Sequence, residues 1–235
     1  MPLELSSSKV LALGVYEHSV EQGGPGGVGA ARRQGEEESR VTLGQLAQRV
    51  RVPAGFVLAP LLVISARPNS RSLLAGGAIA VLGLAIRAWA SGYLKKNEEL
   101  TIAGPYAHTR NPLYLGTFLL GTGVAVSAGT LWFTGLFIFL YLFIYLPVMF
   151  AEAETMRELF PSEYKDYSRR VALFLPRLTP YRKGARQTAI TGDDQARSSK
   201  FDTALYLKHR EYRAALGLLA VYVLLAAKLV LLPGS

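Results

Sequence analysis

Long apolar runs alternate along the chain with short charged or glycine-rich stretches. A helix needs about 20 apolar residues to cross the hydrocarbon of a bilayer, so runs approaching that length indicate membrane spans rather than a soluble core. The pattern predicts an all-α polytopic membrane protein with about five transmembrane helices, at residues 52–66, 73–94, 113–128, 131–150 and 214–232. The first run is the shortest of these, and it is either a short span or an interfacial segment; we favour the span.

Only Gly129 and Thr130 separate the third and fourth runs, which predicts a tight antiparallel hairpin. After the fourth run the chain becomes rich in Arg, Lys, Glu and Tyr. Within this polar part, Met156, Leu159 and Phe160 recur at helical spacing, which predicts a short amphipathic helix lying against the membrane. A cytoplasmic helical segment is therefore expected after the fourth span.

The two ends of the chain differ from the middle in composition. Residues 1–50 are Gly-rich and then charged, without apolar periodicity, which is typical of a disordered or weakly helical extension. The predicted organisation is an extension, a membrane core, a linker and a C-terminal transmembrane helix, at residues 1–50, 51–182, 183–212 and 213–235.

The formal net charge of +9 is compatible with nucleic-acid binding, but in a membrane protein it more often decorates cytoplasmic loops. We therefore expect no nucleic-acid partner. Lys95, Lys96 and Arg110 precede the third span, and many basic residues follow the fourth, so both regions are predicted to face the cytoplasm. Arg67 and Arg71 argue weakly against this orientation. The predicted location is a bacterial inner membrane or an endoplasmic-reticulum-like membrane.

Two cations lie within apolar runs. Arg87 is either a functional residue or a side chain that snorkels to the surface, and the sequence gives both readings equal weight. Lys228 is close enough to the end of the last run to snorkel. The chain has no cysteine and only three histidines, none of them spaced as metal ligands, so no metal site is predicted.

The stretch at residues 104–123, GPYAHTRNPLYLGTFLLGTG, carries the candidate chemistry. Proline disfavours helix in the residue before it and is well tolerated in a first helical turn. Asn111 is thus predicted to close a polar loop and Pro112 to begin a helix. A helix N-terminus beside Arg110 suits a carboxylate or phosphate, although an Arg that contacts lipid headgroups is an equally simple reading.

GPYAHTRNPLYLG resembles the core motif of the integral-membrane methyltransferases that include isoprenylcysteine carboxyl methyltransferase and the phospholipid N-methyltransferases. That motif is roughly G-x-Y-x-x-x-R-H-P-x-Y-x-G, and it is matched at Gly104, Tyr106, Arg110, Pro112, Tyr114 and Gly116. A later stretch of the chain, EAETMRELFPSEYKDYSRRVALFLP, resembles a second element of this family. The matching residues are Glu152, Phe160, Glu163, Tyr164, Tyr167, Arg170, Val171 and Pro176. The resemblance covers residues 72–180 or so.

The resemblance implies an enzyme that transfers a methyl group from S-adenosylmethionine to a lipidic or membrane-partitioned acceptor, either isoprenylcysteine carboxylate-like or phospholipid amine-like. The expected catalytic residues are Arg110 and Glu152. The expected donor-binding residues are Tyr106, His108, Arg110, Asn111, Pro112, Tyr114, Gly116, Glu152, Glu154, Tyr164 and Tyr167. Arg110 would hold the donor carboxylate, the tyrosines would face its sulfonium, and the two glutamates would accept its ammonium or ribose hydroxyls.

The sequence departs from the family pattern at several places. Glu98 stands where the carboxyl methyltransferases have a His before the Gly turn, a G-x-G before the core loop is not evident, and three further departures lie in the two elements above. Asn111 replaces a His, Ala153 replaces the second Glu of a pair with Glu154 one step on, and Pro161 replaces a Gly. These departures leave the acceptor open. His108 is a proton acceptor, a contact to the methyl donor, or a solvated loop residue. The alternatives to a methyltransferase are a nicotinamide-dependent membrane reductase of similar fold and a non-catalytic membrane scaffold; the oligomeric state stays open.

Overall fold

The computed structural model describes residues 53–94, 100–182, 201–203, 206 and 211–231. The described residues form helices and connecting loops without a strand, which confirms the predicted all-α fold. The α-helices are α1 (Pro53–Ser65), α2 (Ser70–Ser91), α3 (Pro112–Ser127), α4 (Leu131–Leu159), α5 (Pro161–Arg170) and α6 (Tyr212–Leu231), with a 3₁₀ turn at Gly104–Ala107. The predicted extension and most of the predicted linker lie outside the described residues.

Three of these helices, α2, α4 and α6, are long and apolar enough to cross a membrane. Helices α1 and α3 are apolar but shorter. The 16 residues of α3 extend about 24 Å, which is less than the roughly 30 Å of a bilayer's hydrocarbon. The chain is thus an integral membrane protein with three long apolar helices, and the count of five transmembrane helices stays a prediction.

Helix α4 corrects one expectation about the polar segment. Its 29 residues continue without interruption to Leu159, so Met156 and Leu159 belong to α4 and not to a separate amphipathic helix. The break comes at Phe160, whose backbone is not helical, directly before Pro161 at the start of α5. At about 44 Å, α4 is longer than a bilayer's hydrocarbon, so its C-terminal turns project beyond the apolar layer.

Helices α2 and α3 pack with their backbones in contact. A Cβ added at Gly83 would lie 2.4 Å from the amide nitrogen of Leu120, and one added at Gly123 would lie 2.4 Å from that of Ala80. Small residues permit such an approach between membrane helices, which are held together by van der Waals packing. This pair forms the rigid part of the bundle on which the motif loop is mounted.

One end of the bundle joins α1 to α2 and α3 to α4. The amide of Arg67 donates to the carbonyl of Ala128 over 2.7 Å, so the two connections lie side by side. Lys228 of α6 reaches the same end, where its Nζ donates to the carbonyl of Val63 at 2.8 Å. Lys228 therefore caps the C-terminus of α1, whose last carbonyls have no partner within that helix.

The opposite end collects the C-terminus of α2, the motif loop, the end of α4, α5 and the start of α6. The segment that follows α5, residues 171–182, runs back along the motif loop and is called the strap below. The two regions of family resemblance thus lie at the same end of the bundle, as predicted. That this end faces the cytoplasm stays a prediction.

Candidate active site at the motif end of the bundle

The motif loop begins with a turn that requires glycine. Gly104 has a φ of 58°, in the left-handed region, and a Cβ there would lie 2.9 Å from the ring of Tyr93. The 3₁₀ turn follows, and the chain reaches Asn111 in a non-helical conformation before α3 begins at Pro112. The predicted loop end and helix start are confirmed.

The strap is bonded to the motif loop along much of its length. Three backbone N–H groups donate across the pair: Arg110 to Ala172 at 3.0 Å, Arg177 to His108 at 2.9 Å, and Tyr181 to Ala107 at 2.9 Å. The ring of His108 adds a fourth bond, with Nδ1 at 2.8 Å from the carbonyl of Arg177. Since a carbonyl only accepts, Nδ1 carries the proton, and this nitrogen is committed to the strap.

Two polar side chains of the loop also hold the strap. Asn111 donates from Nδ2 to the carbonyl of Leu173 at 2.9 Å, and the hydroxyl of Thr109 donates to the carbonyl of Phe174 at 2.9 Å. The residue that replaces the family's histidine therefore has a structural partner. No side chain caps the start of α3, because the Asn111 amide points to the strap instead.

Arg110 lies where the loop, α3 and α5 meet. Its Nη1 donates to the hydroxyl of Tyr164 at 2.9 Å. Its Nε is buried and has no hydrogen-bond partner among the described residues. A guanidinium with unused N–H groups beside an uncapped helix N-terminus is a site of positive potential suited to a carboxylate or phosphate.

The tyrosines of α5 fix the position of the loop from the other side. Tyr164 and Tyr167 are almost fully buried, and the Tyr167 hydroxyl donates to the carbonyl of Tyr106 at 2.7 Å. Burial raises the pKa of Tyr167 well above its usual value, so its hydroxyl stays a donor throughout the physiological range. Tyr164 thus helps to position the side chain of Arg110, and Tyr167 helps to position the backbone of Tyr106.

The second family element delivers a carboxylate to the motif helix. Tyr114 donates from its hydroxyl to Oε1 of Glu152 at 2.7 Å, and its ring lies 5.5 Å from that of Tyr145. Glu154 is placed differently: it pairs with Arg157 one turn along α4, at 2.6 Å on the helix surface. Residues two positions apart on a helix point in directions about 200° apart, so only one of the two glutamates faces the motif.

The buried phenol of Tyr106 lies close to two carboxylates. Burial, and then the charges of Glu152 and Glu211, raise the pKa of Tyr106 far above its usual value. Glu152 comes from the end of α4, and Glu211 immediately precedes α6. A carboxylate of α4 and one from the residue before α6 therefore both act electrostatically on this part of the motif loop.

An ion pair beside this loop involves Glu211, a residue that the sequence analysis did not single out. Arg87 donates from Nε to Glu211 at 3.0 Å and from Nη2 at 2.9 Å, and its Nη1 contacts the hydroxyl of Thr117. Arg87 therefore has an interior partner and does not snorkel. A Cβ at Gly116 would lie 2.6 Å from Cγ of Arg87, so this motif glycine leaves room for the arginine to pass. The signal for Glu211 was present: an arginine within a span needs a partner, and Glu211 is the acid at the edge of the last apolar run.

The structure thus sorts the predicted site residues into four groups. The residues that converge on the motif helix are Tyr106, Arg110, Tyr114, Glu152, Tyr164 and Tyr167. Those that hold the strap are His108 and Asn111. Those with backbone or packing roles are Pro112 and Gly116. Glu154 lies apart, in its surface ion pair.

The fold and site define a helical membrane protein with Arg110, buried tyrosines and two carboxylates at one end of its bundle. Residues 73–163 match the sequence model of the phospholipid methyltransferase family. This match confirms the resemblance of the middle of the chain to the integral-membrane methyltransferases.

Two curated relatives share sequence with the chain. The cobalt-zinc-cadmium resistance protein CzcN of Cupriavidus metallidurans is 34% identical over 139 residues, which is 56% of this chain and 64% of the relative. The nickel-cobalt-cadmium resistance protein NccN of Alcaligenes xylosoxydans xylosoxydans is 29% identical over 129 residues, which is 54% of this chain and 60% of the relative. The chain thus spans less than two thirds of the length of either relative. No solved structure matches the chain.

Proposed function

We propose that the protein is an S-adenosylmethionine-dependent methyltransferase that acts on a lipidic or membrane-partitioned acceptor. The family match supports the reaction class, and one observation carries the proposal to particular residues. Arg110, with its unused Nε, and Glu152, held by Tyr114, come from the two family elements and lie at the same end of the bundle. An anion seat and a cation acceptor are thus presented together.

These residues suit the charges of the donor. S-adenosylmethionine carries a carboxylate, an ammonium and a sulfonium, and when bound it supplies an electrophilic methyl group. Arg110 and the start of α3 would hold the carboxylate, and Glu152 would accept the ammonium or a ribose hydroxyl. The faces of Tyr106 and Tyr114 would lie beside the sulfonium, where cation–π attraction is favourable. Glu154 has no part in this proposal because it faces away.

The remaining contribution of the protein is alignment and exclusion of water. Direct methyl transfer requires the acceptor atom in line with the methyl group, so most of the rate enhancement comes from positioning. The strap and the buried tyrosines hold the loop on one side, while α2 and α3 provide a rigid support on the other. In this proposal the acceptor enters from the bilayer between helices, and the donor enters from the cytoplasm.

Calorimetry of the full chain with S-adenosylhomocysteine tests the proposal. Arg110→Lys keeps the charge but loses the planar fork, so donor binding should weaken measurably. Arg110→Ala should weaken it by about 2–4 kcal/mol, or about 30-fold to 1000-fold, if the pair is desolvated. Arg157→Ala is the matched control, because Arg157 is an exposed arginine at the same end of the bundle. If Arg110→Ala binds like the wild type, the anion seat is wrong.

A second pair of variants examines the carboxylates in the same assay. Glu152→Gln should weaken binding, whereas Glu154→Gln should leave it unchanged because that side chain pairs with Arg157 on the surface.

Titration with NADPH tests the alternative functions. Binding of NADPH without binding of S-adenosylhomocysteine would favour the reductase, and binding of neither would favour a scaffold. Since the names of both relatives refer to metal resistance, growth of the host on cobalt or cadmium with wild type and Arg110→Ala is a physiological companion test.

A further inference from the structure

The strap carries large aliphatic side chains that the described parts of the chain leave uncovered. Leu175 is 71% exposed and Leu178 is 97% exposed. Moving such side chains from water into an apolar medium is favourable. Their position on a segment that is otherwise well bonded to the motif loop indicates a surface whose partner lies outside the described residues.

The depth of the strap identifies the side on which that partner lies. The ring of Phe174 packs edge-on against Phe118 of α3, with centroids 5.6 Å apart. Phe118 lies six residues after Pro112, so the contact is about 9 Å along the helix from its start. Because α3 is an apolar helix that points away from the motif end, the strap at Phe174 reaches below the motif loop, toward the bilayer.

Charge gives the chemistry of the partner. Helix α5 and the strap together contain five basic residues, Lys165, Arg169, Arg170, Arg177 and Arg182, and two acidic ones, Glu163 and Asp166. Four of the basic side chains are exposed, at positions 165, 169, 170 and 182. Aliphatic residues flanked by exposed cations are the combination that binds an anionic membrane surface.

We propose that the strap is an interfacial anchor for anionic lipid. Leu175 and Leu178 insert at the boundary between headgroups and acyl chains, and the flanking cations lie at the level of the phosphates. Because the strap bonds to the backbone of Arg110 and to the side chain of Asn111, the anchor also steadies the loop that carries the candidate anion seat. The composition of the membrane thereby influences the order of the site.

Single-cysteine spin labelling tests the anchor, because the full-length chain has no native cysteine. Leu178→Cys and the exposed α5 position Ser162→Cys, as the matched control, are labelled with a nitroxide. Each protein is placed in nanodiscs of phosphatidylcholine alone or with phosphatidylglycerol, and collisions with oxygen and with a water-soluble nickel chelate are compared. The label at 178 should have an oxygen-to-nickel ratio several-fold above that at 162, and the difference should grow with phosphatidylglycerol.

The same measurement contains its refutations. A label at 178 that meets nickel as freely as the label at 162 in both membranes overturns the anchor. A label shielded from both reagents is packed against protein, such as a second copy of the chain, and this also overturns it. Replacing Arg169 and Arg182 by Gln should remove most of the effect of phosphatidylglycerol while leaving the effect of the bilayer itself.

Hydrogen exchange tests the link to the motif loop without any methyl donor, so it is independent of the proposed function. The amides of residues 107–111 should exchange at least threefold more slowly in nanodiscs with phosphatidylglycerol than in phosphatidylcholine alone. Leu178→Asp should abolish this difference, whereas Leu178→Met should preserve it. Equal exchange in the two membranes for the wild type would show that the strap does not transmit lipid contact to the loop.

Discussion

The ion pair between Arg87 and Glu211 makes a sharp prediction about stability. The pair joins α2 to the residue before α6 by two charge-assisted hydrogen bonds, at 3.0 and 2.9 Å. Glu211→Ala removes the carboxylate and leaves the guanidinium inside the bundle with the hydroxyl of Thr117 as its remaining partner among the described residues. We expect this variant to be markedly less stable than the wild type.

The exposure of the two side chains sets the magnitude. Breaking a fully buried pair by removing one partner costs about 3–5 kcal/mol, whereas an exposed pair is worth about 0–1 kcal/mol. The side chain of Arg87 is 22% exposed and that of Glu211 is 9% exposed, so this pair lies between the two limits. The expected loss of stability for Glu211→Ala is therefore about 2–3 kcal/mol.

Titration with sodium dodecyl sulfate in mixed micelles, followed by circular dichroism, measures the change. The double variant Arg87→Met with Glu211→Leu removes both charges, and it should recover most of the loss because no unpaired ion remains. Arg71→Ala is the matched control: it is an exposed arginine on the same helix and should change stability by less than about 0.5 kcal/mol.

Two results would contradict this reasoning. If Glu211→Ala is no less stable than Arg71→Ala, the pair does not hold α6 against the bundle. If the double variant loses as much stability as Arg87→Met and Glu211→Leu lose together when each is made singly, the two residues act independently and their proximity carries no coupling energy.

Four further predictions concern packing, titration, topology and the N-terminal extension. Gly83→Val should separate α2 from α3, because its Cβ would lie 2.4 Å from a backbone nitrogen of α3, and a drop in the yield of folded protein measures this. Burial raises the pKa of Tyr106 and Tyr167, so the folded state retains protons that the unfolded state releases. Stability should therefore be complete below about pH 10 and fall as the pH rises above it, and Tyr167→Phe should reduce that fall in alkaline unfolding curves. A cysteine at Asn97 should react with membrane-impermeant reagents only from the cytoplasmic side. Labelling only from the outside would contradict the predicted topology. Deletion of residues 1–38 should leave S-adenosylhomocysteine binding unchanged, since their composition cannot bury a core.

Local patterns allowed several features to be predicted from the sequence. Apolar runs identified α1, α2, α3, α4 and α6, because the cost of exposing backbone polar groups to lipid forces such runs to be helical. Helix α5 is polar, and no apolar run indicated it. The Asn-Pro step placed the start of α3 at Pro112, because proline restricts its own φ and the conformation of its neighbour. The prediction was wrong about a separate helix at Met156, because the helical pattern of α4 simply continues past the apolar layer.

Long-range pairings were beyond such patterns. The sequence treated Glu152 and Glu154 alike, and only the direction of α4 relative to α3 decided that Glu152 meets Tyr114 while Glu154 meets Arg157. In the sequence, Asn111 is a departure from the family motif. In the structure, the strap passes close enough for the Asn111 side chain to donate a hydrogen bond to the carbonyl of Leu173. Each of these choices depends on how helices are rotated and placed, which no local preference specifies.

By itself, then, the sequence determined which segments form apolar helices, where the motif helix begins and which family its middle resembles. These properties depend on residues within a few positions of one another, where backbone sterics and hydrophobicity act directly. Only the tertiary structure decided that Arg87 finds its partner 124 residues away at Glu211, and that the strap returns to hold the motif loop. A charge within an apolar run requires a counter-charge, but the packing of the bundle selects which one.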